Sequence, residues 1–102
     1  MSSTTVIDAL DVRDLLGLVD HVCRARGVTR EEVCGRGRTK AVALARHELW
    51  WRLRHHPEMS FSYVEIGRLF DRHHTSVFAG IRAHERASAS HVTEVRSTAR
   101  FD

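Results

Sequence analysis

The sequence predicts an all-α fold, a small helical bundle within a single domain. Proline occurs once and glycine six times in 102 residues, so few positions interrupt a helix. Alanine, leucine, arginine and glutamate are common, whereas aromatic residues make up only 7% of the chain. Apolar residues recur at three- and four-residue spacing in several segments, which is the spacing of one helix face. These features favour helices packed around a modest core.

The first predicted helix runs to Arg26 from about Thr5, or from nearer Asp8 or Asp11. Gly27 ends it, because glycine adopts a left-handed backbone at little cost. Thr29 and Glu32 then have the spacing of a capping box, which predicts a very short helix ending near Cys34. The apolar face of the first helix consists of Val6, Leu10, Leu15, Leu16, Val19, Val22 and Cys23.

The segment GRGR, residues 35–38, is the clearest loop, and a long helix follows from Thr39 to about His55. This helix carries apolar residues on two opposite faces, which is typical of the central helix of a small bundle. Pro57 ends it. One face consists of Val42, Ala45, Leu49 and Leu53. The opposite face consists of Leu44 and Trp51.

Ser62 and Glu65 form a second capping box, which opens a helix ending near Phe70. A tight turn at 71–72 leads to a last helix that begins near 73 or 74 and ends near Ser88. So short a connection favours helices that cross at a large angle, so we predict a helix-turn-helix over residues 62–88. We expect one helical domain over 1–89, followed by a polar tail over 90–102 that is a fraying helix extension or disordered.

A dense polar cluster, His73, His74, Thr75 and Ser76, lies at the start of that last helix. In a helix-turn-helix this end enters the major groove, where hydroxyls donate or accept and the threonine methyl can contact a thymine methyl. Val77 and Ile81 are expected to face inward, leaving Ser76, Ala79 and Arg82 outward. The alternative is an ordinary polar helix start between two core helices.

The formal charge is +3, the pI is about 9.5, and Lys40 is the only lysine. Arginine suits bidentate contact with phosphate and guanine edges. We expect Arg36, Arg38 and Arg72 to contact phosphates or the minor groove, with Arg82 a weaker phosphate candidate. Arg46 is expected at the edge of the core with its charge in solvent. Two further arginines, Arg52 and Arg54, lie either on a solvated face or against phosphates.

The segments ALARHEL (43–49) and SYVEIGRLFDRHHTSVFAGI (62–81) resemble the C-terminal DNA-binding domain, domain IV, of the bacterial replication initiator DnaA. The resemblance covers about residues 28–86. It implies a Trp-repressor-like helical domain that binds double-stranded DNA sequence-specifically, with His73, His74, Thr75 and Ser76 at the major groove. It also implies that Arg36 and Arg38 reach the minor groove or phosphates.

The chain departs from the DnaA pattern in three places. The aspartate of that pattern is replaced by His73, so an acceptor for a cytosine amine becomes an imidazole, and we expect a different DNA sequence to be bound. The arginine-containing loop is several residues shorter than in the family. The segment that contains Trp50 and Trp51 is longer.

Other chemistry finds little support in the sequence. No CxxC, HxxxH or HExxH spacing marks a metal site, and neighbouring side chains at 74–76 cannot converge as a catalytic triad. Cys23 and Cys34 suggest reduced thiols rather than a disulfide framework. No phosphate-binding glycine loop, signal peptide or membrane span is recognisable. We therefore expect no cofactor, no nucleotide, no membrane and a cytoplasmic, nucleoid-associated location.

These observations predict a non-catalytic, sequence-specific duplex DNA-binding protein, a bacterial or phage regulator of transcription or of a replication origin. The alternative is a protein–protein interaction module that keeps the fold without DNA binding. Whether the chain forms a homodimer is left open, because Leu44 and Trp51 could form an exposed apolar patch.

Overall fold

A computed structural model describes the backbone of residues 3–100 and the side chains of residues 4–88. Within that range the chain forms six helices and no strand, which confirms the predicted all-α class. The helices are α1 (Ser3–Val12), α2 (Leu16–Arg26), α3 (Arg30–Cys34), α4 (Lys40–Arg54), α5 (Tyr63–Phe70) and α6 (His74–Arg100).

The prediction of one helix from Thr5 to Arg26 is wrong, because the chain breaks between α1 and α2. Asp14 adopts a left-handed backbone with a φ of 59°, and the Leu15 amide donates to the Leu10 carbonyl at 2.9 Å. Leu10 and Leu15 are both buried. In a continuous helix, residues five apart point about 140° away from each other. The break brings both leucines into one core.

Both predicted capping boxes are confirmed. Thr29 accepts from the Glu32 amide while the Glu32 carboxylate accepts from the Thr29 amide. Ser62 and Glu65 make the same reciprocal pair at the start of α5. Each box satisfies two backbone donors that have no partner inside the helix, which fixes where α3 and α5 begin.

The central helix is α4, which contacts α2, α3, α5 and α6. Its predicted inner face is buried, from Val42 to Leu53, and Trp50 is buried beside it. A Cβ at Gly80 would lie 2.8 Å from the Trp50 ring, so the absence of a side chain at Gly80 lets α6 pack closely on α4. This packing supports the base of α6 beneath its N-terminal end.

The last helix is longer than predicted. Its backbone stays helical to Arg100 rather than ending near Ser88, because neither glycine nor proline interrupts the segment after Gly80. The side chains of residues 89–100 and all of residues 101–102 lie outside the described part of the chain, so only the backbone of the predicted polar tail is described, over 90–100. None of the described helices is both long and apolar enough to cross a membrane.

Candidate nucleic-acid interface

The turn between α5 and α6 is built around Gly67. The amides of Asp71 and Arg72 both donate to the Gly67 carbonyl, the second at 2.8 Å, and Asp71 adopts a left-handed backbone with a φ of 54°. A Cβ at Gly67 would lie 2.5 Å from the Arg72 carbonyl oxygen. Only glycine leaves room for the chain to reverse so closely, and the predicted tight turn at 71–72 is present.

The N-terminal end of α6 carries the predicted polar cluster, and all four side chains from His73 to Ser76 are exposed. His73 Nδ1 accepts from the Thr75 amide at 3.3 Å and lies 2.7 Å from Thr75 Oγ1. The imidazole therefore takes the place of the usual serine or aspartate cap at this helix start. The His74 ring lies against the His73 ring, with 4.4 Å between centroids. These four residues are called the helix tip below.

The helix tip stands on a buried base. Val77 and Ile81 are 0% and 1% exposed, whereas Ser76, Ala79 and Arg82 face solvent as predicted. The predicted inner and outer faces of α6 are therefore confirmed. A supported helix with an exposed polar end is the geometry that a recognition helix needs to enter the major groove.

Phe78, which was not predicted as a site residue, lies on the flank of α6 beside the helix tip. Its side chain is 47% exposed, and the Tyr63 ring packs edge-on against it at 5.3 Å. Val64, the residue after Tyr63 on α5, is 43% exposed. Helical spacing does place Phe78 one residue after the buried Val77, so its outward position could have been inferred from the sequence. An exposed aromatic ring offers apolar contact area for a thymine methyl.

The GRGR segment, residues 35–38, is called the arginine loop. It is held from inside by Arg46, whose guanidinium donates to the carbonyls of Val33, Glu32, Gly35 and Gly37 at 2.9 to 3.1 Å. Arg46 is 6% exposed, so the prediction that its charge reaches solvent is wrong. Burial lowers the pKa of its guanidinium to about 10, and the nearby Arg72 charge adds to this effect, so the group is still cationic at neutral pH.

The arginine loop is tied to the turn that precedes the helix tip. Arg72 Nη2 donates to the Gly35 carbonyl at 2.7 Å, and Arg36 Nη2 lies 3.3 Å from an Asp71 carboxylate oxygen. The Arg36 side chain is still 66% exposed, and Arg38 is exposed as well. Of the predicted backbone-contacting arginines, Arg36 and Arg38 face solvent, while Arg72 is half-buried and holds the loop.

A cleft of about 540 Å³ runs between α5 and the helix tip, and it is bordered by Val64, Gly67, Arg68 and residues 71–74. Arg68 is an exposed cation at this cleft that was not among the predicted site residues. Arg72, in the turn before the helix tip, is a second arginine at the border of this cleft. Two arginines therefore border the cleft, one on α5 and one in the turn.

Three further arginines contact groups away from the helix tip and the arginine loop. Arg52 and Arg26 both pair with Glu48, at 2.8 and 2.7 Å, and Arg54 lies over the Tyr63 ring at 4.9 Å. Arg82 is exposed and only 3.7 Å from a Glu85 oxygen, a weak pair on its own helix.

Metal-binding and thiol chemistry gain no support from the geometry. Among the described side chains, no group of three or more histidine, cysteine or acidic residues could hold a metal ion. Cys23 and Cys34 are buried free thiols, and burial raises the pKa of Cys34 to about 12, so this thiol is protonated near neutral pH.

The part of the chain that carries the helix tip and the arginine loop matches a recognised family. The family model described as the bacterial DnaA protein helix-turn-helix matches residues 17–83, which include α2 without its first residue, α3 to α5 and the first part of α6. Both the arginine loop and the helix tip fall inside the match. No solved structure gives a significant match.

Several curated proteins are similar to the chain. The chromosomal replication initiator protein DnaA 2 of Chlamydia caviae is 33% identical over 85 residues, which cover 78% of this chain and 18% of that protein. The initiator DnaA of Oleidesulfovibrio alaskensis is 31% identical over 75 residues, 74% of this chain and 16% of that protein. DnaA 1 of Chlamydia trachomatis is 36% identical over 67 residues, 66% of this chain and 14% of that protein. The chain thus spans less than a fifth of the length of these relatives.

Proposed function

The chain belongs to the bacterial DnaA helix-turn-helix family, and from this premise we propose that it binds double-stranded DNA sequence-specifically, without catalysis. The single observation that carries the proposal is the pairing of an exposed polar helix tip with an exposed arginine loop, tied together by Arg72. One element has groups suited to base edges and the other has groups suited to phosphates.

The proposed roles follow from exposure and chemistry. His73, His74, Thr75 and Ser76 contact base edges in the major groove, and Phe78 adds apolar contact on the flank. The cationic residues contact phosphates or the minor groove, which fixes the position of the protein on the duplex without reading sequence. These are Arg36 and Arg38, with Arg72 at the junction and Arg68 and Arg82 at the margins.

A selection experiment tests the proposal directly. The full chain is mixed with a pool of random duplexes at moderate salt, and the retained fraction is sequenced. A recurring motif is expected if the tip selects bases. Retention without any enriched motif would leave only electrostatic, non-specific binding, and no retention even at low ionic strength would favour a protein-interaction module instead.

Thr75→Glu tests the helix tip. A bulky acid at this position should repel phosphates and remove the hydroxyl and methyl contacts, so the affinity ratio between selected and random DNA should fall. Ser88→Glu is the matched control, since it adds the same charge at an exposed position of the same helix far from its tip. An unchanged ratio for Thr75→Glu would remove this residue from the base contacts.

Arg38→Ala tests the arginine loop. Losing one phosphate contact should weaken binding to all sequences and reduce the salt dependence of the binding constant by about one unit of log–log slope. Arg24→Ala removes an equal charge from an exposed position on α2 and serves as the control. An identical slope for wild type and Arg38→Ala would exclude Arg38 from the contact surface.

The cellular role proposed for this activity is regulation of transcription or of a replication origin in the cytoplasm, at the nucleoid. The names of the relatives associate them with chromosomal replication initiation. Mapping the selected motif onto the genome of the source organism would separate origin sites from promoter sites.

A further inference from the structure

We propose that the local hydrogen bonds of His73 fix its ring as the neutral tautomer protonated on Nε2, so that the exposed edge of His73 is a donor that prefers guanine to cytosine. The inference rests on the proposed DNA binding and specifies one position of the target. It concerns the only histidine of the helix tip whose Nδ1 has partners within the described structure.

The tautomer follows from the Thr75 backbone amide. An amide N–H can only donate, so His73 Nδ1, 3.3 Å from it, must present a lone pair and carry no proton. Thr75 Oγ1, 2.7 Å from the same nitrogen, can rotate its hydroxyl to donate as well. Two donors on Nδ1 leave Nε2 as the protonated nitrogen of the neutral ring.

The free edge of the ring is placed to meet DNA. His73 is exposed, and within the described residues Nε2 has no hydrogen-bond partner. The His74 ring, 4.4 Å away between centroids, limits how far the His73 ring can turn. With Nδ1 directed at the backbone of α6, Nε2–H points away from the helix.

A lone donor discriminates between bases in the major groove. Guanine presents two acceptors there, N7 and O6, whereas cytosine presents only the N4 amino donor. Nε2–H opposite a cytosine amine would bring two donors together and leave both without a partner. The aspartate of the DnaA pattern has the opposite character, since a carboxylate only accepts. Exchanging aspartate for histidine therefore exchanges the preferred base.

Single-base variants of the selected duplex test the preference. At one position the wild-type chain should bind guanine roughly three- to tenfold more tightly than cytosine, the value of one hydrogen bond. His73→Asp should reverse the order at that position and leave the others unchanged. Aspartate is also a strong N-cap, so this variant keeps the start of α6. A wild-type preference for cytosine there, or no altered position, would overturn the inference.

His73→Asn is the isosteric control for His73→Asp. Asparagine caps a helix through Oδ1, which leaves its Nδ2 amino group as the free donor, so the preference for guanine over cytosine should persist. A His73→Asn variant that prefers cytosine, as His73→Asp should, would show that the preference does not come from a donor at this position.

Nuclear magnetic resonance of the imidazole nitrogens tests the tautomer without DNA. His73 should show the proton on Nε2 in the free protein at a pH where the ring is neutral. His56 is an internal reference, because its Nδ1 accepts from the amides of Glu58 and Met59 at 3.1 and 3.2 Å. A proton on His73 Nδ1 would overturn the tautomer assignment. Failure of the wild-type chain to retain any duplex would instead overturn the proposed function, whatever the tautomer.

Discussion

The helix tip and the arginine loop lie side by side, yet they are held in opposite ways. The tip is organised by exposed hydrogen bonds between residues two or three positions apart, such as the bond from the Thr75 amide to His73 Nδ1. The loop is organised by the buried Arg46, 9 to 14 residues further along the chain, and by Arg72, 37 residues from Gly35. Changes at the tip that keep the helix cap should therefore alter DNA recognition alone, whereas changes beneath the loop should also lower stability.

Arg46→Met should have the largest effect, because it leaves four carbonyls without their donor. We expect a loss of about 2–4 kcal/mol in the free energy of unfolding, from the cost of charged hydrogen bonds and unsatisfied acceptors. Urea denaturation measures this loss. The variant should also weaken DNA binding broadly by releasing the loop.

Arg46→Lys is the partner experiment. A lysine keeps the charge but cannot bridge four carbonyls with a planar fork, so its stability should fall between those of wild type and Arg46→Met. A urea midpoint for Arg46→Met equal to that of wild type would show that the loop does not depend on the buried guanidinium.

Gly67→Ala should have the next largest effect, because the added methyl would lie 2.5 Å from the Arg72 carbonyl. The turn must open, at a cost of about 1–3 kcal/mol in unfolding free energy. Gly17→Ala is the matched control, since a Cβ there meets nothing within 4 Å. That control should raise stability by about 0.5–1 kcal/mol, because alanine favours a helix. Equal effects in both variants would contradict the close approach at the turn.

A change of pH should have the smallest effect on stability. It acts through two histidines between α4 and α6, outside both the helix tip and the arginine loop. Burial lowers the pKa of His47 and of His84, at the α4–α6 contact, below the ordinary value of 6.5. The unfolded chain then binds protons that the folded chain does not, so stability should fall as the pH drops below about 6.5. Thermal unfolding across pH 5 to 8 measures this, and His47→Gln should flatten the dependence. An equally steep dependence in His47→Gln would assign it to other groups.

The contrast between the two regions also explains how far the sequence could predict them. Capping boxes and the polar helix start are set by residue types three or four positions apart, so Ser62 with Glu65 and the cluster at 73–76 could be recognised from the order of residues alone. The role of Arg46 could not, because its partners are backbone carbonyls, which no residue type marks. The break at Asp14 was missed for a similar reason. Leu10 and Leu15 each fit the helical spacing of their nearer neighbours, and only the shape of the core decides that both are inside.

The pair of contacts that joins Gly35 to Arg72 and Arg36 to Asp71 has a consequence for the geometry of the target. It ties together the two parts of the surface that we propose to face the duplex. A duplex bound as proposed would then have to present the bases contacted by the helix tip and the phosphates contacted by the arginine loop at a matching spacing. Inserting one base pair shifts everything beyond it by about 3.4 Å and a tenth of a helical turn, which would leave one of the two parts out of contact.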